Sequence, residues 1–257
     1  LADCDVFVAG AGTGGSPAAI AAARAGAKTI VAEYLYMMGG VMTEGLIGNY
    51  CYGYRKGFTA EVDANVKKVA SVYGQAKSEW FRREARKAGA EIWYGSLVQG
   101  VVLDGKSLAG VVVVMPDGTR GVVRCKRAID ATGNADVAYA AGVPTWKGEE
   151  ESGVPQPGTL MFEVDGVSDE GYQAHGKRPG GPTGAVKAYR TPTEGVYKIN
   201  HLRVFNTDAT DSASMTRAHM EARRQVLDSY GVLLETPGFE NARITQVAPV
   251  LGVRESR

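Results

Sequence analysis

Cysteine is scarce in this sequence. Its three copies in 257 residues, Cys4, Cys51 and Cys125, are widely spaced and form no C-x-x-C pair. Neither a disulfide framework nor a zinc site is indicated, and no metal is expected; a reducing compartment, the cytoplasm, is the simpler reading. Long apolar runs are missing too. None reaches the roughly 20 residues a membrane helix needs, and the start lacks the charged, apolar, cleavable pattern of a secretory signal. The chain opens with Leu1 and not Met, so residues upstream are expected to have been removed or left out. Net charge is also nearly absent: 29 Lys and Arg against 28 Asp and Glu leave +1. No whole-chain field draws in nucleic acid or an anionic membrane, and neither is expected as a partner. The cluster Arg82, Arg83, Arg86 and Lys87 reads as the solvated face of a helix. No internal repeat is present.

Glycine is what the sequence has in excess, with 34 copies against a usual share of about 7%. Tight turns and close backbone approaches follow from that. The sharpest case is Gly10-Ala11-Gly12-Thr13-Gly14-Gly15, a G-x-G-x-x-G between the apolar run Val6 to Ala9 and the alanine-rich helix Ser16 to Ala25, which Gly26 closes. In that position Gly10 permits the turn, Gly12 lets a pyrophosphate approach the backbone, and Gly15 lets helix and strand pack closely. Thr29 to Glu33 forms the next strand. Glu33, at its end, can accept hydrogen bonds from an adenosine ribose, and a carboxylate there disfavours a 2′-phosphate, so NADP is the least suited dinucleotide.

Further along, the region from Gly39 to Phe58 reads as a loop rich in glycine and aromatic residues, and its length suggests function. Helices are expected at Thr59 to Tyr73 and Ser78 to Ala88. Strand periodicity then takes over at Glu91 to Tyr94, Val98 to Leu103, Leu108 to Met115 and Gly121 to Cys125. Asp104-Gly105 and Asp117-Gly118 join the last three as a β-meander. A separate buried strand, Arg127 to Asp130, runs into Ala131-Thr132-Gly133. Prolines and charged loops mark a domain boundary near Gly148, giving a first domain over residues 1–148 and a second over 149–257 that returns toward the first. The second domain holds strands Thr159 to Val164 and Gly195 to Asn206 and a helix from Ser212 to Leu234. The fold class is α/β: a Rossmann-like dinucleotide-binding domain with a parallel sheet and a meander, joined to an α+β substrate domain.

In three places the chain resembles FAD-dependent oxidoreductases of the glutathione-reductase-like superfamily: Gly39-Gly40 within Met37-Met38-Gly39-Gly40-Val41-Met42-Thr43, the inserted meander, and the run Ala128 to Gly133. It is also similar, over nearly its whole length, to a bacterial FAD-dependent oxidoreductase family. The matching segments are Gly57-Phe58-Thr59-Ala60-Glu61-Val62 and a late R-E-[ST]-R motif, here Arg254-Glu255-Ser256-Arg257. The resemblance implies FAD as cofactor, bound by Gly10, Gly12, Thr13, Gly14, Gly15, Glu33, Gly39, Gly40 and Thr43. It also implies that the Val98 backbone meets the adenine and that Ala131, Thr132 and Gly133 come close to the pyrophosphate. In that family a glycine-led helix after the late motif completes the flavin site, so a downstream segment or a second chain is expected to supply it.

Departures from the superfamily narrow the chemistry. Only Cys51 stands where the disulfide reductases place a cysteine pair, so dithiol exchange is not expected. The segment Gly180-Gly181-Pro182-Thr183-Gly184 is interrupted by Pro182 and reads as a loop, not as a second nucleotide site. The expected reaction moves a hydride between a small polar substrate and the flavin. His201 and Arg203, on one face of a second-domain strand beside Asn200, are the candidate base and anion anchor. The loop Asn49 to Arg55 offers phenols and a guanidinium near the ring, or simply aromatic packing; Cys51 is a weaker candidate for a covalent flavin bond. His219 and His175 read as surface residues. Two other classes stay open: a non-catalytic dinucleotide-binding subunit that a partner completes, and an NAD-dependent dehydrogenase in which Gly39-Gly40 and the meander are incidental.

Overall fold

The computed structural model describes residues 1–48, 50, 53–70, 72–176 and 187–257. Asn49, Cys51 and Tyr52 of the aromatic loop and the segment Gly180 to Gly184 lie outside them, as does the side chain of His175.

The first sheet is built on β1 (Ala2–Ala9), whose two faces are both covered. Phe7 and Ala9 enter one apolar cluster and Val8 the other, which is why the strand reads as an apolar run without alternation. The helix α1 (Gly15–Arg24) crosses over to β2 (Thr29–Glu33), parallel to β1 and buried at all five residues. Next come α2 (Phe58–Val66), α3 (Tyr73–Lys87) and the parallel strand β3 (Glu91–Tyr94). A meander of β4 (Leu97–Asp104), β5 (Ser107–Val114) and β6 (Arg120–Asp130) completes a sheet ordered β3-β2-β1-β6-β5-β4. A short helix, α4 (Asp136–Ala140), follows.

Two sequence readings need correction here. The separate strands Gly121 to Cys125 and Arg127 to Asp130 are one strand, β6, paired to β5 through Arg124 and parallel to β1 from Val123 on. Lys126, between them, is no turn former; its exposed side chain simply pairs with Asp5 outside the sheet. The helix boundaries also shift. α2 ends at Val66 in a tight turn in which Val69 N–H donates to the Val66 carbonyl. α3 begins at Tyr73, with Gly74 in the first turn, where a helix amide needs no partner one turn earlier.

The Gly57-Phe58-x-x-Glu61-Val62 segment ties the helices together. Phe58 packs on Trp80 at 5.8 Å and lies beneath Arg24, whose guanidinium binds both Glu61 and Glu84.

The second sheet is antiparallel, made of β7 (Phe162–Asp165), β8 (Ala188–Arg190), β9 (Tyr197–Ile199) and β10 (Arg243–Val247), ordered β10-β7-β9-β8. The helix α5 (Asp169–Gly176) follows β7, and α6 (Ser212–Leu234) lies where the sequence placed it, its start capped by the Asp211 side chain on Ser214 N–H at 2.6 Å. The strands are shorter than expected. Thr159 makes only an isolated bridge to Gly252, and beyond Ile199 only Val204 bridges, to Gly158. Strand alternation does the sorting in this sheet. Phe162, Val164, Tyr197 and Ile199 join Ala218, Ala222, Val226 and Leu233 of α6 in one core. The intervening Glu163 and Lys198 face away from it. Among the described residues no helix is long and apolar enough to cross a membrane.

Candidate functional site

The glycines of the first turn do two different jobs. At Gly10, with φ +86°, a Cβ would lie 2.5 Å from the Ala131 carbonyl oxygen, and at Gly15 it would lie 1.8 Å from the Gly10 carbonyl oxygen. These two positions are fixed by the protein packing on itself. At Gly12 and Gly14 an added Cβ meets nothing within 4 Å, so both border open space. The first turn of α1 has no side-chain cap, which leaves backbone N–H groups and the positive end of the helix dipole turned to that space.

Glu33 ends β2 beside this turn and is 3% exposed. Its Oε2 accepts from Ala11 N–H at 2.7 Å and its Oε1 from Leu35 N–H at 2.9 Å. Burial holds its carboxyl above the usual carboxylate range, although these amides and Tyr34 N–H pull the other way. Each carboxylate oxygen keeps a second lone pair for a ribose hydroxyl. Ser96, which sequence reasoning missed, donates its N–H to the Glu33 carbonyl at 3.0 Å and so brings the start of β4, with the half-buried Val98, next to the same edge.

Two further turns converge on the first. Gly39 N–H donates to the Ala11 carbonyl at 2.8 Å, Thr13 Oγ1 donates to the Gly39 carbonyl, and a Cβ on Gly40 would come within 3.0 Å of Gly12 Cα. Thr43 is buried, and its hydroxyl binds the Met38 and Gly40 carbonyls; it shapes this turn. On the other side Ala131 N–H donates to the Ala9 carbonyl. Asp130, another residue not singled out from the sequence, accepts from Thr132 N–H, Thr132 Oγ1 and Ala138 N–H. It thereby shapes the turn containing Gly133, which has φ +84° and open space where a Cβ would stand. The late motif returns to this point: Ser256 is buried with its hydroxyl on Asn134 Oδ1 at 2.6 Å, and Arg257 pairs with Asp136 over the Tyr139 ring.

Beyond the Gly39-Gly40 turn, a cavity of about 440 Å³ lies between the residues that follow the turn and the antiparallel sheet. Met42, Thr43 and Glu44 line one wall with the start of α3, and Glu163, Lys198 and Gln246 of the antiparallel sheet form the other. Behind the first wall lies Lys77, fully buried, with Nζ donating to Tyr50 Oη at 2.7 Å and resting over the Tyr50 ring. Burial pushes this lysine down to about 8.

His201 and Arg203 are not among the residues lining the cavity. They follow β9 in an extended connection and do not stand on a strand, because the ladder ends at Ile199. Burial, with the charges of Lys187 and Arg203, keeps the His201 imidazole below its ordinary range. Arg203 borders a separate groove beside α6, where its backbone is held by Gln225. The alternation Phe162-Glu163-Val164 and Tyr197-Lys198-Ile199 was the available sign of the cavity wall: a charge at the middle of two strands whose other face is apolar.

Three turns meeting at the carboxyl ends of neighbouring parallel strands, under an uncapped helix, make the crevice that an ADP-containing dinucleotide occupies. That defines the class as dinucleotide-binding α/β proteins. The chain belongs to the FAD dependent oxidoreductase family, whose model matches residues 5–257. FAD is thus its cofactor, and the NAD alternative falls away. The residues present fit the group, since Gly12, Gly14 and Gly133 leave open space where a side chain would otherwise intrude.

Solved structures share the fold. The geranylgeranyl bacteriochlorophyll reductase-like protein of Thermoplasma acidophilum has a TM-score of 0.59 at 20% identity, over 98% of this chain and 66% of that one. The p-nitrophenol 4-monooxygenase of Pseudomonas putida has a TM-score of 0.60 at 13% identity, over 98% and 68%. A myxobacterial FAD-dependent chondrochloren halogenase has 0.56 at 15%, over 100% and 64%. The chain thus spans just under two thirds of the first and last of these proteins. Among curated proteins none matches the chain.

Proposed function

We propose that the protein is an FAD-dependent oxidoreductase of the glutathione-reductase-like kind that moves a hydride between a small polar substrate and the flavin. The observation that carries this reading is that Met42 and Thr43, which follow directly on the Gly39-Gly40 turn of the crevice, also line the cavity, with the Thr43 hydroxyl bound to the Gly40 carbonyl. When bound, FAD supplies the two-electron acceptor. The chain's own part is to hold and shield. The N–H groups at the start of α1, with Gly12, Gly14 and Gly133, bind the pyrophosphate; Glu33 takes the ribose hydroxyls; the Val98 backbone meets the adenine. The cavity walls hold the substrate away from bulk water.

A boundary near Gly148 divides the two tasks. The free, buried thiols of Cys4 and Cys125, which stand opposite each other on β1 and β6, support residence in the cytoplasm. The test is direct. The purified protein should be yellow or take up added FAD, and heat denaturation should release FAD identifiable by mass. A colourless protein that binds no added FAD overturns the reading.

A further inference from the structure

The second-domain sheet presents a polar row to the cavity. Gln246 of β10 stands opposite Glu163 of β7, which stands opposite Lys198 of β9. All three line the cavity, and the residues before and after Glu163 and Lys198 are buried against α6. The row is therefore fixed by strand alternation, with the chains' apolar neighbours anchoring it from behind.

Opposed residues on antiparallel strands stand close enough to pair, at about 5 Å between Cβ atoms. Glu163 and Lys198 nonetheless form no ion pair with each other, and no hydrogen bond or ion pair of either side chain occurs among the described residues. Both are half-buried, and burial opposes the charge on each: it raises the Glu163 carboxyl and lowers the Lys198 amine. A partly dried acceptor and a partly dried donor side by side leave hydrogen-bonding capacity that no protein group takes up, open to a ligand that displaces water from the cavity. The facing wall is balanced in charge, with Arg55 and Lys67 against Glu44 and Asp63, and carries the apolar surface of Met42 and Tyr73; Arg190 of β8, the remaining cation of the lining, is already paired with Asp169. Sign selection therefore falls to the sheet. A dicarboxylate would set a second negative charge against Glu163, a diamine a second positive one against Lys198, and a plain hydrocarbon would strand both.

We propose that the cavity binds a small organic acid carrying a hydroxyl or an amine on the carbon beside its carboxylate, with Lys198 taking the carboxylate and Glu163 the neighbouring donor. This rests on the reading of the cavity as a flavoenzyme's substrate site. The apolar part of such a molecule lies on Met42 and Tyr73.

The probes are mandelate and phenylglycine, with phenylacetate lacking the donor and benzyl alcohol lacking the carboxylate. Each is titrated into the FAD-loaded chain, with binding followed by calorimetry and by perturbation of the flavin absorbance. Mandelate or phenylglycine should bind about tenfold or more tightly than either single-group probe, because a site built to hydrogen-bond a group rejects the analogue without it. Which of the two prevails separates hydroxy acids from amino acids. Lys198→Met should erase the preference over benzyl alcohol, Lys198→Arg should restore it, and Glu163→Gln should reduce the preference over phenylacetate. Equal binding of mandelate, phenylglycine and phenylacetate overturns the proposal, as does a folded Lys198→Met protein that still prefers the acids. A chain that holds no FAD overturns the flavin reading instead, whatever the probes do; a yellow chain indifferent to both polar groups overturns this inference alone.

Discussion

The crevice around Gly10 to Gly15 and the cavity against the antiparallel sheet recognise their occupants by opposite means. In the crevice the ligand meets main chain: amides at the start of α1, and glycines whose missing Cβ atoms leave room. In the cavity it meets side chains, Glu163, Lys198 and Gln246, presented by strands whose geometry tolerates almost any residue. A backbone site constrains residue type wherever a Cβ would collide, whereas a side-chain site constrains only which face a residue occupies. The first can therefore be damaged in two distinct ways, through folding or through binding, and the two can be separated.

The largest effect should come from Gly15→Ala. Its Cβ would lie 1.8 Å from the Gly10 carbonyl oxygen, so α1 must move off β1, at a cost of more than about 4 kcal/mol or outright failure to fold. Gly12→Ala is the counterpart. With nothing within 4 Å of the new methyl, its melting temperature without cofactor should match the parent, while FAD affinity falls at least about tenfold. Chemical denaturation and FAD titration of the two variants side by side check this. Equal stability of both would show that the two glycines do not differ in kind.

That difference explains what could be read from the sequence. The turns at Gly10, Gly39-Gly40 and Gly133 were legible because positive φ, joined at the first two turns by close backbone or side-chain approach, favours glycine at each. α6 was legible because a capping Asp211 and long apolar periodicity mark it. Glu163 and Lys198 were not singled out, since a charged residue inside a strand says only that one face is wet, and whether that face meets solvent or a second domain depends on contacts far along the chain. His201 drew attention as an imidazole among strand-like residues, but the ladder stops two residues earlier, at Ile199. Ser96 acts through its backbone on Glu33, far back in the chain, and no local pattern announces that partner; Asp130 acts on Thr132 and Ala138 just ahead of it, a short Asp-x-Thr turn that the sequence did carry.

Lys77 offers the next effect, on the cavity side. Its ammonium has a phenol and the Met42 sulfur for partners, and among the described residues no carboxylate forms an ion pair with it. A lysine held at about 8 in the fold and at its ordinary 10.5 when unfolded binds fewer protons in the folded state between those values. Stability should therefore rise with pH across that window, and below it the full cost of the buried charge is present. Lys77→Met, similar in length and apolar, should gain up to about 3 kcal/mol at neutral pH, less the loss of the Tyr50 hydrogen bond. Urea midpoints at neutral pH and near pH 10 measure both arms. A variant less stable than the parent at neutral pH would mean that the Tyr50 contact outweighs desolvation.

Glu33 sits between the two modes, a side chain held in place by main-chain amides, and its effects should be the smallest and the most informative. Because burial raises its carboxyl above 4.5, the folded protein keeps this proton to higher pH than the unfolded chain does. The stability this contributes is full below 4.5 and is lost as pH rises through the folded value. In Glu33→Gln that slope disappears. The amide oxygen can still accept from one of Ala11 and Leu35, but its NH₂ group faces the other donor, so the variant starts lower by about 1 to 3 kcal/mol. The parent's advantage over it should therefore shrink as pH rises. FAD binding should weaken about tenfold, the difference between a charged and a neutral acceptor for the ribose hydroxyls. Cofactor-free melting curves from about pH 4 to about pH 8, with an FAD titration at neutral pH, separate the two roles. Parallel melting profiles would refute the buried-carboxyl account, and an unchanged affinity would leave Glu33 as a brace for the glycine turn with no hold on the ribose.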